Sequence, residues 1–171
     1  MIGSGSSFDK YIFGGEIYML AKEIMKSEVI TLSPESTIIE IARLMVENDI
    51  SGFPVVDGEN RLLGVVSEKD IMYKEVKLDE PSVWDLCLWS ALGSREIYSY
   101  KESFRKYRAK TAAEIMTSPA VAVDENDDVS KAGNLMISRH IKRVFVTRGE
   151  KLAGVISRSA FVKMLLDAEI E

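Results

Sequence analysis

The chain repeats itself, and this internal repeat constrains its fold more than any other feature. KEIMKSEVITL at 22–32 matches AEIMTSPAVAV at 113–123, an offset of 91 residues. The same register aligns ARLMVENDI with GNLMISRHI and PVVDGENRLLGVVS with FVTRGEKLAGVIS, where Asn60 is the one extra residue. A repeated unit that cannot bury its own apolar face usually buries it against its copy. The two repeats should therefore form one module.

Each repeat predicts the order strand, helix, strand, strand, helix. Ser33-Pro34-Glu35 has the composition of a helix start, and Asp124 takes the capping position in the second repeat. Apolar residues at helical spacing follow both positions. Two apolar runs separated by a short turn then predict a hairpin in each repeat. The fold class is therefore α+β, since an all-helical repeat would not contain these β-rich runs.

The repeats divide the chain into four predicted regions. Residues 1–20 form an N-terminal leader with apolar residues for packing, 21–76 the first unit, 77–111 a connection and 112–171 the second unit. The connection is too long and too regularly patterned for a plain linker, and its apolar spacing predicts one or two amphipathic helices. Cys87 lies on the apolar side of that pattern, so a buried structural thiol is expected.

Composition limits the classes of function. The net charge of −5 argues against binding polyanions through bulk electrostatics. One cysteine and one histidine exclude an intrachain disulfide and multi-cysteine metal sites, and no sequence motif for catalysis or phosphate-loop binding is present. The sequence lacks a membrane span of roughly 20 apolar residues and a signal peptide, so a cytoplasmic location is expected.

The repeat resembles the tandem CBS domain, or Bateman module. The resemblance rests on IM before the first strand, the capped helix, DISGFPVVD and GVVSEKD at 64–70, and it covers about residues 21–76 and 112–169. It implies two intertwined CBS units packed with pseudo-twofold symmetry, with two clefts between their sheets; the helical connection predicted above would be an insertion between the units. Family members bind adenosine compounds there, including AMP, ADP, ATP and S-adenosylmethionine.

Asp70 is the central residue of the expected main site. An aspartate in a first helical turn stays ionised, and its two oxygens can accept hydrogen bonds from both ribose hydroxyls. Ser67 and the helix-start N–H groups suit a phosphate. The alternative is structural: Ser67 caps the helix and Asp70 complements its dipole.

The resemblance implies that each ribose-reading motif takes its adenine pocket from the other repeat. It also places Lys142 and Arg143 where some family members carry a phosphate-contacting pair. The expected main site comprises Val65, Ser67, Lys69, Asp70, Thr117, Ser118, Val121, Ile141, Lys142 and Arg143.

The second repeat ends in GVISRSA at 154–160, where Ala160 replaces the aspartate. An unpaired ribose hydroxyl in a partly buried site costs roughly 1 to 3 kcal/mol, so the second site should be weak, empty or differently liganded. Its expected residues are Ser27, Ile30, Ile50, Ser51, Val155, Ser157, Arg158 and Ser159.

The sequence therefore predicts a non-catalytic regulatory module that requires no cofactor or metal. It would bind an adenine nucleotide or S-adenosylmethionine, form a homodimer and signal to an effector protein in trans. Two alternatives stay open: a ligand-free structural or dimerisation module, and a nucleic-acid-binding protein that uses the basic segments 95–110 and 139–158.

Overall fold

The computed structural model describes residues 12–13, 16–17, 19–74, 82–92 and 95–169. Most of the predicted leader 1–20 lies outside the described residues, as do residues 77–81 and 93–94 of the connection and the last two residues of each unit, 75–76 and 170–171. The elements are, in chain order, β1 (Ile12–Phe13), β2 (Glu16–Ile17), α1 (Ala21–Ile24), α2 (Ile38–Asn48), β3 (Gly52–Val56), β4 (Leu62–Ser67), α3 (Glu68–Met72), α4 (Val83–Leu92), α5 (Arg95–Arg108), α6 (Ala112–Ile115), β5 (Ala122–Asp124), α7 (Val129–Ser138), β6 (Arg143–Arg148), β7 (Lys151–Ser157) and α8 (Arg158–Glu169).

The chain forms two compact units that each draw on both repeats. We call Ile30–Gly58 with Leu63–Pro119 the inner unit, by its position in the sequence. The outer unit consists of the described residues within Met1–Val29, Glu59–Leu62 and Ala120–Glu171. Each unit therefore combines most of one repeat with the opening segment of the other.

The inner unit is built on the hairpin of the first repeat. Strands β3 and β4 pair, and Leu32 bridges Val55 in parallel at the edge of this pair. Helix α2 packs on the sheet through its buried residues Ile41 and Met45. Residues from α6, at the start of the second repeat, and from the chain just before it complete the core. The core residues are Leu32, Ile41, Met45, Phe53, Val55, Val66, Ala109, Ala112 and Ile115.

The outer unit repeats this design with the second repeat. Strand β5 pairs in parallel with β6, and β6 pairs antiparallel with β7. Helix α7 covers the sheet, and Ala21 of α1, from the first repeat, completes the core. The core residues are Ala21, Val123, Ala132, Met136, Val144, Val146 and Ile156. The predicted α+β class, with two units of similar design, is confirmed by this architecture.

Each repeat therefore exchanges its opening segment with the other repeat. In both units the exchanged segment approaches the hairpin closely at a glycine. In the inner unit Val65 of β4 forms an antiparallel bridge with Thr117, and in the outer unit Val155 of β7 does the same with Lys26. A Cβ atom on Gly64 would lie 2.9 Å from the carbonyl oxygen of Thr117. A Cβ atom on Gly154 would lie 2.9 Å from that of Lys26. Glycine is required at both positions because a side chain would push the exchanged segment away.

The predicted helix starts at Ser33 and Asp124 are wrong by four residues. Helix α2 begins at Ile38, where Thr37 and Glu40 form a reciprocal capping box. Helix α7 begins at Val129, and the carboxylate of Asp128 accepts a hydrogen bond from the Ser130 N–H at 2.8 Å. Ser33 and Asp124 instead bond within the turns that precede the helices. Several residues in each stretch can cap, so the local pattern does not select one of them.

The connection contains two helices, α4 and α5, as its pattern indicates. The predicted burial of Cys87 is wrong, because this thiol on α4 is exposed. Val83, Trp84 and Leu88 on the same helix are also exposed. Within the described ranges, no helix is both long enough and apolar enough to span a bilayer.

The glycine approach gives a prediction about stability. Gly64→Ala and Gly154→Ala should each lower the free energy of unfolding by about 1 to 3 kcal/mol, because the added methyl group clashes with backbone that cannot easily move. Gly58→Ala is the matched control, since a Cβ atom there meets nothing within 4 Å. Urea unfolding of the three variants measures the difference. Equal stability of all three would contradict the close approach.

Candidate functional site

Asp70 is the third residue of α3, the helix that begins directly after β4. Its side chain is buried, with 3% of the residue exposed. One carboxylate oxygen, Oδ2, accepts hydrogen bonds from the backbone N–H and the hydroxyl of Ser67, both at 2.7 Å. Asp70 therefore has a structural role, because its carboxylate fixes the residue that precedes the helix.

The second carboxylate oxygen of Asp70 has a partner that the sequence did not indicate. Lys106, on α5, donates a hydrogen bond from Nζ to Oδ1, and both side chains are almost fully buried. The same ammonium group donates to the Thr117 hydroxyl at 2.9 Å, and that hydroxyl lies 3.4 Å from Oδ1. The inner unit therefore brings Ser67, Asp70 and Thr117 together around a buried ion pair.

Other contacts hold the C-terminal part of α5 beside this ion pair. Arg105 donates to the carboxylate of Glu102 at 2.6 and 3.0 Å and to the Met116 carbonyl at 3.2 Å. The Arg105 guanidinium lowers the pKa of Glu102, and the Glu102 carboxylate raises the pKa of Arg105. Lys74, two residues after the end of α3, donates a hydrogen bond at 2.7 Å to the carbonyl of Ala109, the residue that follows α5. The position of Lys106 is therefore fixed by contacts before and after it in the sequence.

Glu102 offers Lys106 a second carboxylate. Its Oε1 lies 3.6 Å from Lys106 Nζ, one helical turn away on α5. The side chain of Glu102 is half exposed, whereas that of Asp70 is buried. The ammonium of Lys106 thus lies between a buried and a solvent-exposed anion.

The outer unit has the same backbone bridge, but the position equivalent to Asp70 carries no charge. Ala160 occupies the place of Asp70 and packs against the apolar core. The hydroxyls of Ser157 and Ser159 lie 2.7 Å apart and bond to each other. Arg158 donates from Nε to the Ile141 carbonyl at 3.0 Å. The two repeats therefore present different chemistry at equivalent positions.

The other predicted site residues lie in both units. In the inner unit, Ser118 donates to the Leu63 carbonyl at 2.8 Å, Lys69 is exposed, and Val65 pairs with Thr117. Ile50 packs against the inner core, the Ser51 carbonyl accepts the N–H of Glu68, and Ile30 is 39% exposed.

In the outer unit, Val121 and Ile141 pack against the core, and Arg143 begins β6. Lys142 and Ser27 are exposed, and Val155 pairs with Lys26. For these residues, and for their counterparts in the inner unit, ligand binding stays a prediction.

Lys106 is the site residue that sequence reasoning missed. It lies 36 positions from Asp70 and belongs to the connection rather than to either repeat. The one sequence signal for a buried cation was the basic composition of SFRKYR, near the end of α5. A basic composition is equally typical of a solvated surface. Only the packing of α5 against α3 identifies the lysine that points inward.

Metal binding and nucleic-acid binding gain no support from the described part of the chain. Among its residues, no group of three or more His, Cys, Asp or Glu side chains is placed to hold a metal ion. Arg105 and Arg108 are the residues by which the nucleic-acid alternative would be tested, and Arg105 is engaged within the chain. Its guanidinium group already bonds to Glu102 and to backbone carbonyl groups.

Comparison with known proteins identifies the repeated unit. The family model described as CBS domain matches residues 21–77 and 112–167. An uncharacterised protein of Methanocaldococcus jannaschii, MJ1426, is 28% identical over 165 residues, which cover 92% of this chain and 97% of that protein. The inosine-5'-monophosphate dehydrogenase of the same organism is 24% identical, and the match spans only 27% of its length.

Solved structures share this fold. CBSX2 in complex with AMP has a TM-score of 0.71 at 21% identity, covering 86% of this chain and 97% of that one. The CBS domain pair of MJ0100, in complex with 5-methylthioadenosine and S-adenosyl-L-methionine, has a TM-score of 0.61 at 20% identity, covering 88% and 98%. At these identities the likeness establishes the fold.

The buried ion pair predicts a large stability effect. Lys106→Met should lower the free energy of unfolding by about 3 to 5 kcal/mol, because it leaves the Asp70 carboxylate buried without its cation. Lys101→Met is the control on the same helix, since Lys101 is exposed, and should change it by less than about 0.5 kcal/mol.

A double-mutant cycle tests whether the two charges act together. The double variant with Asp70→Asn and Lys106→Met should lose less free energy of unfolding than the two single variants lose in sum, and the difference should be about 1 to 3 kcal/mol. Urea unfolding provides all four free energies. Strict additivity would mean that the two side chains do not interact.

Proposed function

The chain belongs to the CBS-domain family, and from this premise we propose that it is a non-catalytic regulatory module that binds an adenosine-containing ligand through Asp70. One observation carries the proposal: a buried aspartate at a helix start is held beside a hydroxyl group from the other repeat. Its carboxylate oxygens can accept hydrogen bonds from the two hydroxyls of a ribose. The AMP and S-adenosylmethionine complexes of CBSX2 and MJ0100 support this class of ligand.

The proposed site has three components in the inner unit. Asp70 reads the ribose, Ser67 at the start of α3 lies near the ligand phosphate, and Thr117 lies at the edge of the adenine pocket. A nucleoside without a phosphate should then bind more weakly than its monophosphate.

The proposed signal is a change in the arrangement of the CBS units. A ligand shifts an equilibrium between two arrangements only by its difference in affinity for them. We propose that the module forms a homodimer and passes this change to an effector protein in trans. The competing proposal, a ligand-free structural module, makes the opposite prediction in a binding experiment.

The first test is a calorimetric titration of nucleotide-free protein with AMP, ATP and S-adenosylmethionine. At least one should bind, and Asp70→Ala should weaken it by tenfold or more, because the loss of a ribose hydrogen bond costs roughly 1 to 3 kcal/mol. Glu68→Ala is the matched control, since Glu68 is an exposed carboxylate in the same helical turn. No heat with any of the three ligands would instead favour the structural module.

The second test concerns the unequal repeats. We expect one strong binding event per chain in the same titration, because Ala160 offers no acceptor for a ribose hydroxyl. Ala160→Asp should raise the stoichiometry towards two by supplying the missing carboxylate. A wild-type stoichiometry of two, with equal affinities, would refute the assignment of Asp70 as the distinguishing residue.

A further inference from the structure

The carboxylate proposed to read the ribose is already fully engaged within the chain. Oδ2 of Asp70 accepts two hydrogen bonds from Ser67, and Oδ1 faces the Lys106 ammonium and the Thr117 hydroxyl. A carboxylate offers about four acceptor positions, so these donors fill them. Ribose hydroxyls can therefore bond to Asp70 only if a donor leaves.

Lys106 is the donor that can leave at least cost to the local fold. The N–H of Ser67 is fixed by the end of β4 and the start of α3, and the backbone that carries the short Thr117 side chain is fixed by its bridge to Val65. Lys106 instead reaches Asp70 through a long side chain. Its alternative partner, Glu102, lies 3.6 Å away and is half exposed, so the ammonium can turn towards solvent and keep an opposite charge nearby.

We propose that Lys106 is an internal competitor for the ribose site, and that ligand binding moves its ammonium from Asp70 to Glu102. This inference rests on the proposed function and specifies how the same site is regulated. The ligand-free protein keeps its buried carboxylate neutralised by Lys106, and the bound ligand satisfies the same oxygens with hydroxyl groups. The measured affinity is the intrinsic affinity reduced by the fraction of molecules in which Lys106 has left.

The exchange also transmits ligand occupancy to α5. Lys106 links this helix to α3 through Asp70, and it is followed by the segment that carries Ala112 and Ile115 into the inner core. Release of Lys106 removes the buried side-chain contact between α5 and Asp70. The last turns of α5 should therefore loosen when a ligand binds, although ligand binding usually makes a protein more rigid.

The test compares Lys106→Met with wild type in titrations with AMP and with adenosine. Loss of the competing lysine should raise the affinity for both ligands by about tenfold or more, and by similar factors for the two. Lys106→Gln, which keeps a hydrogen-bond donor but removes the charge, is the second variant if Lys106→Met does not fold. Lys101→Met is the matched control and should leave both affinities unchanged.

Three outcomes would overturn the inference in distinguishable ways. Unchanged affinity in both Lys106 variants would show that the lysine does not compete, while the proposed function stands. Weaker AMP binding with unaffected adenosine binding would make Lys106 a phosphate contact instead. Absence of binding in the wild type and in every folded variant would overturn the proposed function and this inference together.

Hydrogen–deuterium exchange provides a second readout. In the wild type, AMP should speed exchange at the amides of residues 101–108, and Lys106→Met should show faster exchange there without ligand. The same residues in Lys101→Met should behave as in the wild type. Slower exchange at these amides on addition of AMP would contradict the release of α5.

Discussion

The backbone pairing of Val65 with Thr117, and of Lys26 with Val155, is the constraint on which the rest of the structure depends. Each pairing holds the opening segment of one repeat against the last strand of the other repeat's hairpin. The segment then supplies core residues, such as Ala112 and Ile115 in the inner unit and Ala21 in the outer unit. Methionines beside each bridge, Met116 and Met25, also lie against Gly64 and Gly154.

This exchange determines which side chains meet at the site. Thr117 approaches Asp70 because its backbone pairs with β4, the strand that leads directly into α3. The chain between the repeats then has to return to the same unit, and this return places α5 beside α3. Lys106 consequently faces the buried carboxylate of Asp70, at a position where the second repeat has Ala160.

The sequence predicts the fold well where the information is periodic or repeated. The doubled pattern, the hairpins and the glycines of GVVSEKD and GVISRSA identify the architecture and point to Asp70. The predicted helix start at Ser33 is wrong because Ser33, Ser36 and Thr37 can all cap a helix, and only the packing of the helix selects Thr37. The exposed Cys87 and the buried Lys106 fail for another reason: burial in the connection depends on tertiary contacts that no local pattern encodes.

The exchange of segments also sets an order in which the two units can be completed as the chain is made. All of the inner unit is encoded between Ile30 and Pro119, so its core residues are present once Ile115 has been added. The outer unit pairs Ala21 with strands that end at Ser157. Residues 19–26 therefore have no strands of the outer unit to pack against during most of synthesis. The core of the inner unit can form in this interval, while they are still unpaired. A chain stopped after Pro119 would contain one complete core and one orphaned segment.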